Sequence, residues 1–196
     1  MRPFAVIGCP VFASMNRRCL IALLAGLAAL PIARGQAVDL QSRVAAQLSI
    51  LESWAADPAI VAAVRARNQA RSAVATDMTQ QRWTRLAQAD PFVRELASNA
   101  AAAALSSKRT AIVSEAFVSA ADGSKVAFLA KPSTWNHKGK AKHDEPMRGA
   151  AWRGEVEIDE STGLEQIQVA VPVVDGGKPI GSLVVGLTVS KLIAGR

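Results

Sequence analysis

The chain changes its hydrophobic period once, near residue 110, and does not change back. From Val38 to about Ser107 there is no glycine, and Ala, Leu, Gln and Arg dominate. Val44, Leu48, Leu51 and Ala55 recur at helical spacing, with Gln41, Gln47 and Glu52 off that stripe, which predicts an amphipathic helix. Asp57-Pro58 reads as a cap followed by proline at the first helical position. The helix it opens is expected to reach about Val74, burying Ile60, Val61 and Val64 and exposing Arg65, Arg67 and Arg71. Thr79 caps a short third helix carrying Trp83 and Leu86, and Asp90-Pro91 opens a fourth bearing Phe92, Val93, Leu96 and Leu105. The alanine run after Asn99 has high helix propensity and suits close packing on a sheet.

From Ala111 onward the period is two and β-branched residues take over. Residues 112–119 read as a strand, Ala121-Asp122-Gly123 as a tight turn and residues 125–129 as the hairpin partner. A polar loop is expected from Lys131 to Gly149, long enough to suggest a functional segment. Strands resume near Trp152–Ile158 and Glu165–Val174. Asp175-Gly176-Gly177-Lys178 is a hairpin signal, and the last strand runs Ile180–Val189. Five strands without crossover helices form an antiparallel sheet, so the expected class is α+β, with the N-terminal helices on one face.

The first 37 residues differ from the rest. Arg17 and Arg18 precede a short apolar run, Cys19 to Leu30, followed by Pro31 and small residues, with Gly35 and Ala37 at −3 and −1 of a cut before Val38. That is the pattern of a cleaved secretory signal peptide. The run is shorter than a spanning helix needs and is broken by Pro31. Met15-Asn-Arg-Arg-Cys-Leu is itself a well-formed start, so Met1 and Met15 both stand as start codons. The twin arginines match the twin-arginine route poorly, and Cys19 opens the apolar run instead of following it, unlike a lipoprotein. The leader holds four arginines and no acid, so its removal takes the net charge from +7 to +3. Nucleic-acid binding loses its main support with that charge. Cys9 and Cys19 leave too, so the mature chain has neither disulfide nor thiolate chemistry. A periplasmic or secreted protein of one domain, without an anchor of its own, is expected.

Ser114-Glu-Ala-Phe-Val-Ser-Ala-Ala-Asp-Gly-Ser-Lys-Val-Ala127, Glu157-Ile-Asp-Glu-Ser-Thr162 with Gln166-Ile-Gln-Val-Ala-Val-Pro172, and Pro179-Ile-Gly-Ser-Leu-Val-Val-Gly-Leu187 fall in a telling order. They resemble the first hairpin, central strand pair and closing strand of the PAS-like extracellular sensor domains called Cache or PDC domains. Asp57-Pro-Ala-Ile, Arg67-Asn68-Gln69 and Trp83 are similar to that family's helical preface. The resemblance covers nearly all of residues 38–196. Beyond the signal peptide over 1–37, it implies a helical region over 38–110 and a PAS-like sheet over 111–196, the two making one single-Cache domain. It also implies a small ligand between the sheet and the long loop. Relatives carry an aromatic and acidic stretch where this chain reads Ser133-Thr-Trp-Asn-His-Lys-Gly-Lys-Ala-Lys-His143. The amino-acid-binding signature of some double-Cache receptors is also absent, since the chain has no tyrosine.

Within that frame, Trp135 and Trp152 are candidate apolar walls, and Lys138, Lys140, Lys142 and Arg148 are candidate partners for a carboxylate. Glu115 and Phe117 share one face of the first strand, and an inward Glu115 needs a cationic partner. His137 and His143, with Asp144 and Glu145 beside the second, are a weaker candidate metal site, because three nearby lysines repel a cation. The Asp159–Thr162 turn reads as structural. Gly181 and Gly186 signal close backbone approach in the last strand. No arrangement for nucleophilic catalysis and no phosphate-cradling loop is present, so neither an enzyme nor a cofactor is expected. The expected function is sensing of a small organic ligand, with an anion as the candidate class and ligand state passed to a membrane receptor or transporter. A homodimer through the first helix is a further expectation. A scaffold with a filled pocket is the alternative, and a periplasmic metal-binding protein a weaker one.

Overall fold

The computed structural model describes residues 30–70, 78–159 and 163–195, with side chains from residue 39 onward. The chain divides into Met1–Val38 and Asp39–Arg196. Most of the expected leader, Arg71 and the end of the expected second helix lie outside the described residues, as do residues 160–162 of the turn.

The N-terminal half forms five helices, α1 (Leu30–Ala55), α2 (Pro58–Ala70), α3 (Gln80–Arg85), α4 (Pro91–Ser98) and α5 (Ala100–Lys108). The cap signals act as expected. Asp57 accepts from the Ala59 amide at 2.9 Å, Thr79 from Arg82 at 3.1 Å and Asp90 from Phe92 at 2.9 Å. Two details depart from the sequence reading. The fourth helix is broken at Asn99, whose backbone turns extended and whose side chain caps α5 by accepting from Ala102 at 3.0 Å. Arg67 is half-buried, with Nε donating to Ser124 Oγ at 3.4 Å and its guanidinium 5.7 Å from the Trp135 ring.

The strands are β1 (Val113–Ala120), β2 (Lys125–Phe128), β3 (Trp152–Ile158), β4 (Glu165–Asp175) and β5 (Lys178–Thr188). They form one antiparallel sheet in the order β2-β1-β5-β4-β3. The expected α+β class, helices with a five-stranded antiparallel sheet, is the observed one. Glycines 176 and 177, at φ +56° and +77°, close the β4–β5 hairpin in a backbone region that L side chains rarely adopt. Two further short helices were not foreseen. Ala141–Met147, α6, lies inside the segment expected to be loop, and Val189–Ala194, α7, follows β5 where the strand was expected to end.

The period-two pattern gives the sheet two different faces. Ala116, Val118, Val169, Val171, Val185 and Leu187 point one way and pack with Val44, Leu51, Ile60, Val64 and Leu105 of the N-terminal helices. Each such aliphatic side chain, fully buried, contributes roughly 1.5–3 kcal/mol. Phe117, Phe128, Ala170 and Val184 point the other way, into a smaller cluster with Trp83, Val93, Leu96 and Trp135. That second face is only partly filled by apolar groups. The remainder is polar.

Candidate functional site

Alternation along β1 and β4 carries Glu115, Phe117, Gln166 and Gln168 to the second face. A register shift between Val113 and Glu115 brings Ser114 to the same side. Over these residues passes the segment from Ala130 to Lys142. Two sets of hydrogen bonds hold it there. On one side Trp83 Nε1 donates to Pro132 O at 2.7 Å, Gln80 Nε2 donates to Ser133 O at 2.8 Å, and Gln80 Oε1 accepts from the Trp135 amide at 2.8 Å. On the other, the His137 amide donates to Gly123 O at 2.9 Å and Asn136 Nδ2 to Asp122 O at 2.9 Å. Gly123 makes this contact possible: at φ +82°, a Cβ there would stand 2.3 Å from the Lys138 amide nitrogen.

Between segment and sheet lies a cavity of about 580 Å³, lined by Glu115, Phe117, Lys131, His137, Lys142 and Gln168 among others. Gly186 keeps its far end open, since a Cβ would meet Ser114 Oγ at 2.6 Å and Glu115 Cγ at 2.8 Å. Lys142 Nζ donates to Gln168 Oε1 at 2.7 Å, and Gln168 Nε2 donates to Glu115 Oε1. The glutamine thus stands between an ammonium and a carboxylate of opposite charge. Ser114 Oγ donates to Gln166 Oε1 at 2.8 Å. Burial, reinforced by the Lys140 charge, pushes the Lys142 ammonium below its ordinary value against the pull of Glu115 and Glu157. Lys131 Nζ donates to Trp83 O at 2.9 Å and lies 4.5 Å from the Trp83 ring centroid.

Behind the cavity wall is a group the sequence reading did not single out. Lys125 is fully buried on β2. Its Nζ contacts His137 Nδ1, lies 3.3 Å from Ser119 Oγ and 4.3 Å from the Phe117 ring centroid. Burial, then repulsion from Lys142 and Lys140, pushes this amine well below the lysine range, with Glu115 opposing. Burial and the Lys125 charge push His137 down to about 2, so the imidazole is neutral. His143 is also buried. Its Nε2 faces Ala121 O at 3.4 Å, which can only accept, so Nδ1 accepts from Ser182 Oγ at 2.8 Å. Burial is the main reason its pKa is lowered.

Of the residues picked from the sequence, Glu115, Phe117, His137 and Lys142 come together around the cavity. Trp135 is buried away from it, in an aromatic cluster 5.0 Å from Trp83 and 5.7 Å from Phe92. Trp152 is half-buried and packs on that cluster. Lys138 and Lys140 are exposed, as is Arg148, which pairs with Glu145 at 2.5 Å. His137 and His143 are each committed to protein partners, and no group of three metal-ligating side chains occurs among the described residues. Missed were Lys125, Gln166 and Gln168. A lysine at a strand position whose neighbours Val126 and Phe128 are apolar was the available signal.

No family model matches the chain, and no curated protein does. Solved structures do. The sensor domain of the Vibrio cholerae histidine kinase DctB is 16% identical, with a TM-score of 0.48 over 83% of this chain and 57% of that one. The ligand-binding domain of the Pseudomonas aeruginosa PAO1 amino acid chemoreceptor PctC, in complex with GABA, is 14% identical, with a TM-score of 0.46 over 84% and 61%. That of the Pseudomonas fluorescens chemoreceptor CtaA, in complex with L-serine, is 18% identical, with a TM-score of 0.45 over 91% and 63%. Each is a sensor or ligand-binding domain. This chain therefore spans less than two-thirds of the length of the solved chains it is similar to.

Proposed function

We propose that residues 38–196 form an extracytoplasmic sensor domain that binds a small organic ligand in the cavity between the sheet and the Ala130–Lys142 segment. The observation that carries this is the cavity itself. It lies where a scaffold with a degenerate pocket would place side chains, and it is lined by two lysines, two carboxylates, two amides, an imidazole and a phenyl ring. Such a mix of one apolar wall and a few placed polar groups suits a small molecule. Glu115, Phe117, Lys131, His137, Lys142, Gln166 and Gln168 are the ligand-contacting residues in this reading. Trp135 supports the segment from behind.

The reading includes export by the leader, cleaved before Val38. No described helix is long and apolar enough to cross a membrane. Ligand state is passed to a membrane receptor or transporter, which a pull-down from envelope extract with and without ligand tests directly. A thermal-shift screen against amino acids, carboxylates, amines, purines and divalent metals tests the ligand reading. Ligand at about 100 times its dissociation constant adds about 2.7 kcal/mol of stability. For a domain of this size the melting point then rises roughly 5–10 °C. A flat screen on a cooperatively melting protein transfers the case to the scaffold reading.

A further inference from the structure

Lys125 is an unusual thing to bury. Among the described residues no ion pair includes it. The charges acting on it are Lys142 and Lys140, of its own sign, and Glu115, whose carboxylate is engaged by Gln168. The other elements packed on β2 bring it no counter-charge: α2 offers Arg67, bonded to Ser124, and α4–α5 offer the Asn99 amide, which donates to Val126 O at 2.9 Å. On α6, His143 acts on His137 and is itself neutral, with Asp144 and Asp122 acting on His143. A buried cation without a matching anion is costly, and apolar side chains of similar volume replace such groups readily. Packing alone gives no reason for a lysine here.

The geometry beside it supplies one. Phe117 and His137 are stacked, with centroids 4.8 Å apart and planes at 27°, and both line the cavity. Lys125 Nζ touches both from behind. We infer that the Lys125–His137 pair is the buried counter-charge for an anionic group of the ligand, so that the cavity takes up a small carboxylate together with a proton. This rests on the cavity being the ligand site. A carboxylate seated against the two rings completes an arrangement in which Lys142 meets it directly and the pair meets it through a low-dielectric wall. At an effective dielectric near 20, opposite charges about 6 Å apart shift a protonation equilibrium by well over tenfold.

The sign follows from linkage. The pair has lost proton affinity in the empty protein, and an anion restores it, so binding takes up a proton and affinity rises as pH falls. The window lies below the ordinary lysine value of 10.5 and above the range where carboxylates themselves protonate.

The test uses the full chain and acetate as probe. Binding is followed through the His137 ring and Lys125 Nζ resonances from about pH 10 down to about pH 5.5. Acetate should shift both resonances, with its dissociation constant falling by up to about tenfold per pH unit across the titration of the pair. In Lys125→Met the pH dependence should shrink to the part that Lys142 and His137 contribute. Acetate binding with one affinity at every pH, an unchanged pH dependence in Lys125→Met, or no acetate binding at all would each overturn the inference. The wild-type titration decides the matter even if the variant does not fold. A neutral or cationic compound that binds the cavity would leave the sensor reading standing while this one fell.

Discussion

Asn99 ties the helical half of the chain to the sheet by binding both at once. Its Oδ1 accepts from the Ala102 amide at 3.0 Å, starting α5, while its Nδ2 donates to the Val126 carbonyl of β2 at 2.9 Å. Loss of a cap costs about 1 kcal/mol, and an unsatisfied buried carbonyl adds about 1–3 kcal/mol. Asn99→Ala should therefore lower stability by about 2–4 kcal/mol in chemical denaturation, and Asn99→Ser, which keeps only the cap, should lose less.

Lys125→Met should raise stability in the absence of ligand. Replacing a buried charge that lacks a counter-ion by an apolar side chain is neutral or favourable by roughly 1–4 kcal/mol. Because the lysine is pushed below 10.5 in the folded chain, the unfolded chain binds more protons in that window and wild-type stability rises with pH. The advantage of the variant should thus be largest at low pH and shrink as pH approaches 10.5. Melting temperatures of both proteins across that range check it.

Acid should destabilise the protein before its carboxylates titrate. His137 and His143 are both held neutral in the fold, His137 with its value lowered from 6.5 to about 2. Their contribution is complete above the unfolded value of 6.5 and is lost as pH falls below it, by at most about 1.4 kcal/mol per pH unit for each histidine. Urea unfolding at a series of pH values between about 7 and about 5 should show this slope, and His137→Asn should remove His137's share of it.

Gly186→Ala should damage the cavity more than the sheet. The added methyl would stand 2.6 Å from Ser114 Oγ, 2.8 Å from Gln166 Oε1 and 2.8 Å from Glu115 Cγ, so these three side chains must move. Overpacking of this kind costs typically 1–3 kcal/mol. Any ligand found by the thermal-shift screen should bind at least about tenfold more weakly, which is about 1.4 kcal/mol. Calorimetry on the variant checks both.

Trp83→Ala should be the most damaging of these changes. The indole is fully buried, makes an edge contact with Phe128 at 6.0 Å, and donates to Pro132 O at 2.7 Å to hold down the segment over the cavity. Truncating a buried tryptophan costs about 3–5 kcal/mol. Faster amide exchange in residues 131–137 should accompany that loss.

The sequence by itself determined most of the elements and the antiparallel sheet. Caps at Asp57, Thr79 and Asp90, the single switch of period near residue 110 and the Gly176-Gly177 turn are local signals. Each acts on backbone within a few residues, so they survive without knowledge of what packs where. Period two also put Glu115 and Phe117 on one face. The interruption at Asn99 was not legible, because a carbonyl on β2, 27 positions away, makes it worthwhile to end one helix and begin another. Helix α6 was hidden in the same way: Lys140 and Lys142 at its start read as loop, and only the sheet beneath shows that His143 and Pro146 are its buried side. Tertiary structure alone decided the site. Trp135 looked like a pocket wall and became the support behind it, while Lys125, a strand residue not singled out from the sequence, became the buried amine behind the cavity wall. Burial and electrostatic environment are set by which distant side chains close around a group, and no local pattern in the chain encodes that distance.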